Sequence, residues 1–427
     1  MQQKFFTNLL YILLLNFLVK PFWIFGIDIS VQNLVGAEEY GFYYSIFNFS
    51  LLFNIVLDLG ITNYNNRNIA QYSHMLGRYF SGILVMKFML GVLYLIVALA
   101  MGLLLGYEPR AIYLLVILAF NQFLLSLILY LRSNLAGLLL FRLDSTLSIL
   151  DRLLMILICS VLLWGNVLNS AFQIEYFVYA QTAAYLITAV VVLGTVIWKA
   201  GRPKFKFNLP LFRIIIRQSL PYALLILLMA FYYRLDSVMI ERLLPNGREQ
   251  TGVYAQAYRL LDAANMIGFL FAGLLLPIFS KMLKEKRNIS KLLRLSFNLI
   301  FVPSFSIAVV AMFSSKEIMA VLYHENILAS ARVLVLLMFC FIAISATYIY
   351  GTLLTANGSL KVLNRIALSG LLVNLILNLI LIPKLQAYGA ALATLITQVL
   401  VVLLQIVVVK KMFQFKYDLA YFVKLVM

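Results

Sequence analysis

The side chains with chemistry to offer are the few charges set inside long apolar runs: Lys20, Asp58, Lys87, Asp151, Arg152, Arg234, Asp236, Arg259 and Asp262. At the centre of a membrane-spanning helix an ionisable group costs on the order of 2.5–3.5 kcal/mol on insertion scales, so each is a functional hypothesis by default. At about 1.5 Å rise per residue, Lys20 lies roughly 20 Å and Arg234 about 30 Å from the inner ends of their runs, and Arg259 lies within about 8 Å of an outer end. These three bases of the outer half are the candidate substrate-binding cations, with Lys87 a supporting one nearer the inner surface. Asp58, Asp151 and Asp262 are the candidates to exchange a proton or bind Na+, because coupling-ion sites use buried carboxylates near the midplane. Packing offers a second reading of the same residues. Arg259 and Asp262 are helical neighbours that can neutralise each other. Asp58 can pair permanently with Lys87, and Lys20, Lys87 and Arg234 can reach an interface along their own apolar stems.

The elements that must position these charges are transmembrane helices. Of 427 residues, 64% are hydrophobic and 12% charged, and the mean hydropathy is +0.98, against roughly 45–50% apolar and about 25% charged in soluble domains. A span of about 20 apolar residues crosses a hydrocarbon core roughly 30 Å thick. Apolar windows bounded by charge, Gly or Pro give about twelve such spans, beginning with Thr7 to Ile29 and Phe42 to Tyr64 and continuing from Phe80 to Leu105 through to Gly389 to Val409. The N-terminal run is longer than a signal-peptide core and lacks a small-residue cleavage pattern, so it is expected to remain as the first span. No connection is long enough to form a soluble domain.

Basic residues set the orientation, since Lys-rich and Arg-rich loops stay cytoplasmic; about 24 of the 34 fall in the N-terminus, the even-numbered connections and the C-terminal tail, against about six on the other side. Both termini are therefore expected inside. The net charge of +18 is read as this topology signal together with attraction to anionic lipid head groups, not as a nucleic-acid surface, because no soluble module carries a basic stripe interleaved with aromatics. Glu38-Glu39-Tyr40-Gly41-Phe42-Tyr43 resembles Glu249-Gln250-Thr251-Gly252-Val253-Tyr254 at an offset of about half the chain, as a parallel duplication of six-helix lobes would produce. The expected division is an N-lobe over residues 1–205 and a C-lobe over residues 206–427. Pro21 and Pro221 each remove a helical hydrogen bond early in a lobe, which is tolerated where a helix bends or lines a cavity.

Metal and thiol chemistry are not indicated. Cys159 and Cys340 lie in apolar runs as small hydrophobes, and His74 and His324 have no second ligand at helical spacing.

Several short motifs, in order, resemble one family: Leu34-Val35-Gly36 to Glu39-Tyr40-Gly41, Leu57-Asp58-Leu59-Gly60-Ile61 to Arg67-Asn68-Ile69-Ala70, Arg234-Leu235-Asp236-Ser237, Gly252-Val253-Tyr254 to Ala257-Tyr258-Arg259, and Asn374 to Asn378 with Leu381-Ile382-Pro383 and Tyr388-Gly389-Ala390-Ala391. They resemble the polysaccharide-transporter branch of the multidrug/oligosaccharidyl-lipid/polysaccharide (MOP) superfamily, the Wzx-type O-antigen and capsule flippases. The resemblance implies an all-α polytopic membrane protein of the MATE/MOP type, with two six-helix lobes facing a central cavity. It implies alternating access in a bacterial inner membrane, a polyprenyl-diphosphate-linked oligosaccharide as substrate, lipid contacts and a polysaccharide polymerase or chain-length machinery as partner. It marks Asn374 and Asn378 as supporting residues. Lys384-Leu385-Gln386-Ala387 lacks the glycine the family pattern places after the proline. A diphosphate crossing hydrocarbon needs counter-charge, and Lys20, Arg234 and Arg259 could supply it as point charge or guanidinium fork. The 25 tyrosines are read mostly as interfacial anchors.

A multidrug antiporter of the same fold is the nearest rival, but it exports organic cations and wants acidic walls where these charges are mainly basic. A membrane polymerase or ligase is the rival among enzymes; it would need paired acid and base groups in an ordered outer loop, and the outer loops are short and poor in them. No catalytic residue, metal or cofactor is therefore expected, apart from H+ or Na+ as coupling ion.

Overall fold

The computed structural model describes residues 19, 21–62, 65, 69, 76–138, 140–165, 167, 171–200 and 209–414. Hydrocarbon offers no partner to a backbone N–H or C=O, so a spanning chain must satisfy them internally; no strand occurs among the described residues. A wide π-type segment, Phe22–Asp28, follows Pro21. After it come α1 (Ile29–Leu52), α2 (Ile55–Asp58), α3 (Leu76–Leu104), α4 (Pro109–Gly137), α5 (Phe141–Trp164) and α6 (Ile174–Ala200). The remaining helices are α7 (Leu209–Leu243), α8 (Gly247–Lys284), α9 (Ser290–Leu322), α10 (Ile327–Ala356) and α11 (Leu360–Phe413).

Among the described residues, eight helices, α3 to α7 and α9 to α11, contain stretches long and apolar enough to cross a membrane. At 54 residues α11 would reach about 80 Å, far beyond a core of about 30 Å. It breaks at Gln386, three residues after Pro383. Gly370 faces Val401 and Ser359 lies against Met412, so the two arms run antiparallel and supply the last two spans. The first expected span lies mostly outside the described residues. Its end and the start of the second form α1, which turns at Gly36 with φ 82° and ψ 167°, a conformation open to glycine alone. The second span is not the single helix that its hydropathy suggests. The chain leaves helical geometry at Phe53 and again at Leu59 and Gly60, whose φ values are 45° and 81°.

The chain divides into two compact units, Met1–Leu227 and Leu228–Met427; the boundary expected at 205–206 lies outside the described residues. In the first unit α4 is surrounded by α1, α3, α5 and α6, and in the second α10 is surrounded by α8, α9 and α11. These two are the most buried of the apolar spans, and each is fourth in its set of six, as a duplicated lobe would have it. Lipid tails give no hydrophobic drive to helix association, so close packing and interhelical hydrogen bonds carry it. Tyrosines do much of this. Tyr94 donates to the Ser50 carbonyl at 2.8 Å, Tyr130 to that of Phe80 at 2.9 Å and Tyr323 to that of Gln256 at 3.2 Å. All three rings are fully buried, so these tyrosines are ties between helices rather than anchors at the interface. Large apolar side chains stay exposed at helical spacing, Phe88, Val92 and Ile96 in α3 and Leu372, Ile376 and Leu379 in α11, and form the lipid face.

The turn in α11 has a testable cost. Gln386 holds φ 54° and ψ −137°, where a Cβ is strained, at the loop in which the glycine of the family pattern is missing. Gln386→Gly is expected to stabilise the protein by about 1 kcal/mol and Gln386→Val to destabilise it by at least as much, read as opposite shifts of the thermal midpoint in detergent.

Candidate functional site

In the second unit a single carboxylate gathers three spans. Asp236, on α7, is 1% exposed. Its Oδ1 accepts from Asn378 Nδ2 at 2.6 Å and Asn374 Nδ2 at 3.2 Å. Its Oδ2 accepts from the Tyr254 hydroxyl at 2.8 Å and from the Thr394 hydroxyl. Asn374 and Asn378 are one turn apart on the first arm of α11, which is why both amides reach one oxygen, and Thr394 lies on the second arm. Asn378 also donates to Asn374 Oδ1 at 3.1 Å. All these partners are neutral, and no basic side chain pairs with Asp236 among the described residues.

A buried carboxylate held only by neutral donors must take up a proton or a cation, or bear the full cost of an uncompensated charge. The same shell can serve either form. Turning the two amides over and rotating the hydroxyl presents Asn374 Oδ1, Asn378 Oδ1 and Thr394 Oγ1 beside the carboxylate, the hard oxygen set that a small cation takes. Asn378 Oδ1 is already buried without a hydrogen-bond partner.

Arg234 is two residues from Asp236 and faces another way. Its guanidinium lies 3.7 Å from Asp262 and 5.7 Å from the Tyr258 ring. Arg259 approaches the same Asp262 oxygen at 4.0 Å. Two guanidiniums thus converge on one carboxylate oxygen, on side chains that are 27% and 15% exposed. Two of the three expected cations are brought together in this way, with Asp262 as their counter-charge; Lys20 lies outside the described residues.

The first unit holds the other expected residues. Lys87, 1% exposed, places Nζ 2.6 Å from Asp58 Oδ1, 3.0 Å from the Leu57 carbonyl and 2.9 Å from Ser126 Oγ. Thr62 donates both its N–H, at 3.2 Å, and its hydroxyl to Asp58. The helix break at Leu59 and Gly60 is what frees the Leu57 carbonyl and turns Asp58 towards the lysine. Asp151 lies 3.8 Å from its neighbour Arg152, whose guanidinium sits 5.5 Å from the Trp23 ring.

Two residues of this kind were not singled out from the sequence. Asp236 counted among the intramembrane charges without a role. Asp28, 2% exposed, lies at the edge of the first expected span, and Tyr40 donates to it at 2.9 Å. In a straight helix twelve residues span about 18 Å, so this bond exists only because α1 turns at Gly36. Each unit therefore buries an aspartate of its first span under a tyrosine of its second. The signal available beforehand was the pairing of a lone Asp with a Tyr-Gly or Gly-Val-Tyr opening in both halves.

Among the described residues no group of three His, Cys, Asp or Glu side chains converges as a metal site. At the N-termini of α4 and α6, Arg110 forks onto Glu39 of α1 at 2.9 and 2.7 Å and reaches Glu175 at 2.9 Å.

Known proteins agree with this architecture. An inward-facing multidrug resistance MATE family transporter of the MOP superfamily matches with a TM-score of 0.74 at 14% identity, over 92% of this chain and 94% of that one. The lipid II flippase MurJ, in an inward closed conformation, matches with a TM-score of 0.71 at 16% identity, over 97% and 89%. A MOP superfamily transporter from Pyrococcus furiosus matches with a TM-score of 0.67 at 15% identity, over 96% and 94%. These likenesses establish a MOP-type polytopic membrane fold. No curated protein matches the sequence. The model of the family described as polysaccharide biosynthesis protein matches residues 5–283, more than half of the chain, and the chain belongs to that family.

Proposed function

We propose that the protein is a flippase that carries polyprenyl-diphosphate-linked oligosaccharide repeat units from the inner to the outer leaflet for O-antigen or capsule assembly. It would work by alternating access in a bacterial inner membrane, with both termini cytoplasmic and a polymerase or chain-length machinery receiving the product. The observation that carries this reading is that Arg234 and Arg259, on neighbouring helices, converge on Asp262 within the second unit. Two adjacent guanidiniums offer the forked donors that a diphosphate takes, which sets the multidrug reading second. The family and the likeness to MurJ support the class of substrate; the short loops support transport rather than catalysis.

We infer that the coupling ion, H+ or Na+, binds at Asp236 rather than at Asp58, Asp151 or Asp262. Asp58, Asp151 and Asp262 each have a basic side chain within 2.6, 3.8 and 3.7 Å, which already compensates their charge, whereas the partners of Asp236 among the described residues are neutral.

A deletion strain is expected to accumulate unpolymerised repeat units on the cytoplasmic leaflet. Accumulation on the outer leaflet would instead indicate a polymerase. In the complemented strain Arg234→Ala is expected to slow export about tenfold, the loss of roughly 1.4 kcal/mol of phosphate attraction, with membrane levels unchanged; unaltered export would remove the cationic site from the mechanism.

A further inference from the structure

Beyond Asp236, the second arm of α11 continues with polar residues that the site does not use. Thr397, Gln398 and Gln405 are 0, 0 and 4% exposed, and Thr397 Oγ1, both amide atoms of Gln398 and Gln405 Oε1 have no hydrogen-bond partner among the described residues. On a helix of 3.6 residues per turn, Thr394, Gln398 and Gln405 fall within about 40° of one another, on one stripe roughly 16 Å long. Gly370 packs against Val401 and the Thr397 methyl on one side of this stripe, and Gly351 of α10 packs against the Gln405 amide on the other. One turn from Gly351, Thr347 presents another buried hydroxyl, 7% exposed and without a partner, at the level between Gln398 and Gln405. The stripe thus starts at the group that binds Asp236 and ends about 8 Å, at helical rise, from Lys410 and Lys411 in the last turn of α11.

Each orphaned buried polar atom costs about 1–3 kcal/mol, and a run of them would consume much of a net stability of about 5–15 kcal/mol. Polar groups so placed are normally bridged by internal water, which needs two to four polar neighbours. Apolar residues of similar volume would fill the same space without that cost.

We propose that this stripe is a hydrated route, within the second unit, by which the small monovalent cation neutralising Asp236 exchanges with the Lys410–Lys411 face of the membrane. The proposal rests on the placement of the coupling ion at Asp236. The amides and hydroxyls serve as successive neutral oxygen ligands or water anchors, binding weakly enough for the cation to leave. Nothing is broken or formed covalently.

The test uses the full-length protein in sealed vesicles, with Cys159 and Cys340 replaced by alanine. A small cationic thiosulfonate applied from the Lys410–Lys411 face is expected to modify Gln405→Cys and Gln398→Cys at least about tenfold faster than lipid-facing Leu403→Cys, since a thiol reacts as a thiolate in water and not in hydrocarbon. Equal rates at all three positions would overturn the route. A second arm needs no added cysteine. Gln398→Leu and Gln405→Leu should each slow release of the bound cation about tenfold, as tracer sodium if Na+ is carried and as internal pH change if H+ is. They should leave equilibrium cation binding intact. Normal release in both variants would overturn the route's role in exchange. Asp236→Asn separates the two levels of the proposal. Thiol labelling that persists in this variant while cation dependence disappears supports both; cation dependence that survives removes the ion from Asp236, and with it the purpose of the route.

Discussion

Asp236→Asn is expected to leave the protein in the membrane and reduce oligosaccharide export at least about 100-fold, equivalent to losing roughly 2.7 kcal/mol of cation binding, with no remaining dependence on sodium or pH. The amide is nearly isosteric with the carboxylate: its oxygen can still accept from Asn374 and Asn378, and its NH2 can donate to the Tyr254 and Thr394 hydroxyls once they rotate, so the packing of α7, α8 and α11 is retained. What it cannot do is hold a charge. Asp236→Ala is a different experiment. It strips the acceptor from Asn374, Asn378, Tyr254 and Thr394 together, and with four buried donors orphaned it should destabilise the protein by about 3–5 kcal/mol. Measured together, the two variants divide the ionic from the structural role. If Asn retains cation-dependent export, Asp236 is a structural knot and the coupling ion binds elsewhere.

The second large effect belongs to the first unit. Lys87→Met keeps the length of the side chain but removes a donor shared by Asp58, Leu57 and Ser126. Removing one partner of a buried pair typically costs about 3–5 kcal/mol. Asp58 is 31% exposed and can recover some hydration, so about 3 kcal/mol is expected. Because the acceptors sit where α2 ends and Leu59 and Gly60 turn the chain, the loss should appear as a lower thermal midpoint and a smaller folded fraction in detergent. Combining it with Asp58→Asn should cost less than the sum of the single changes by about 1–2 kcal/mol. Strict additivity would mean that the contact is incidental.

The spans α3 to α7 and α9 to α11 are legible because twenty apolar residues between charges admit few other structures in lipid, and the motif residues Asn374 and Asn378 fall on the helix arm that meets Asp236. The sequence could not show which charges lack a counter-charge. Arg234 and Asp236 are neighbours in the motif, yet two residues along a helix turn the side chain by about 200°. The arginine therefore meets Asp262 while the aspartate meets the asparagines. Hydropathy also reads the second span as continuous, since a break held together by Lys87 and Thr62 leaves apolar composition unchanged. For tyrosine the difficulty is that an interfacial anchor and an interhelical tie both need an apolar ring and a polar tip, and only a partner such as the Phe80 carbonyl distinguishes them. Asp28 was hidden by a turn at Gly36 that brings together residues too far apart on any straight helix.

The central claim is tested most directly by reconstituting the purified chain with a fluorescent polyprenyl-diphosphate oligosaccharide and following the fraction of label accessible to a membrane-impermeant quencher. Movement of the label between leaflets, slowed by Arg234→Ala and driven by a sodium or proton gradient, is the expected result. A label that stays in its leaflet while the same vesicles transport an organic cation would contradict the account.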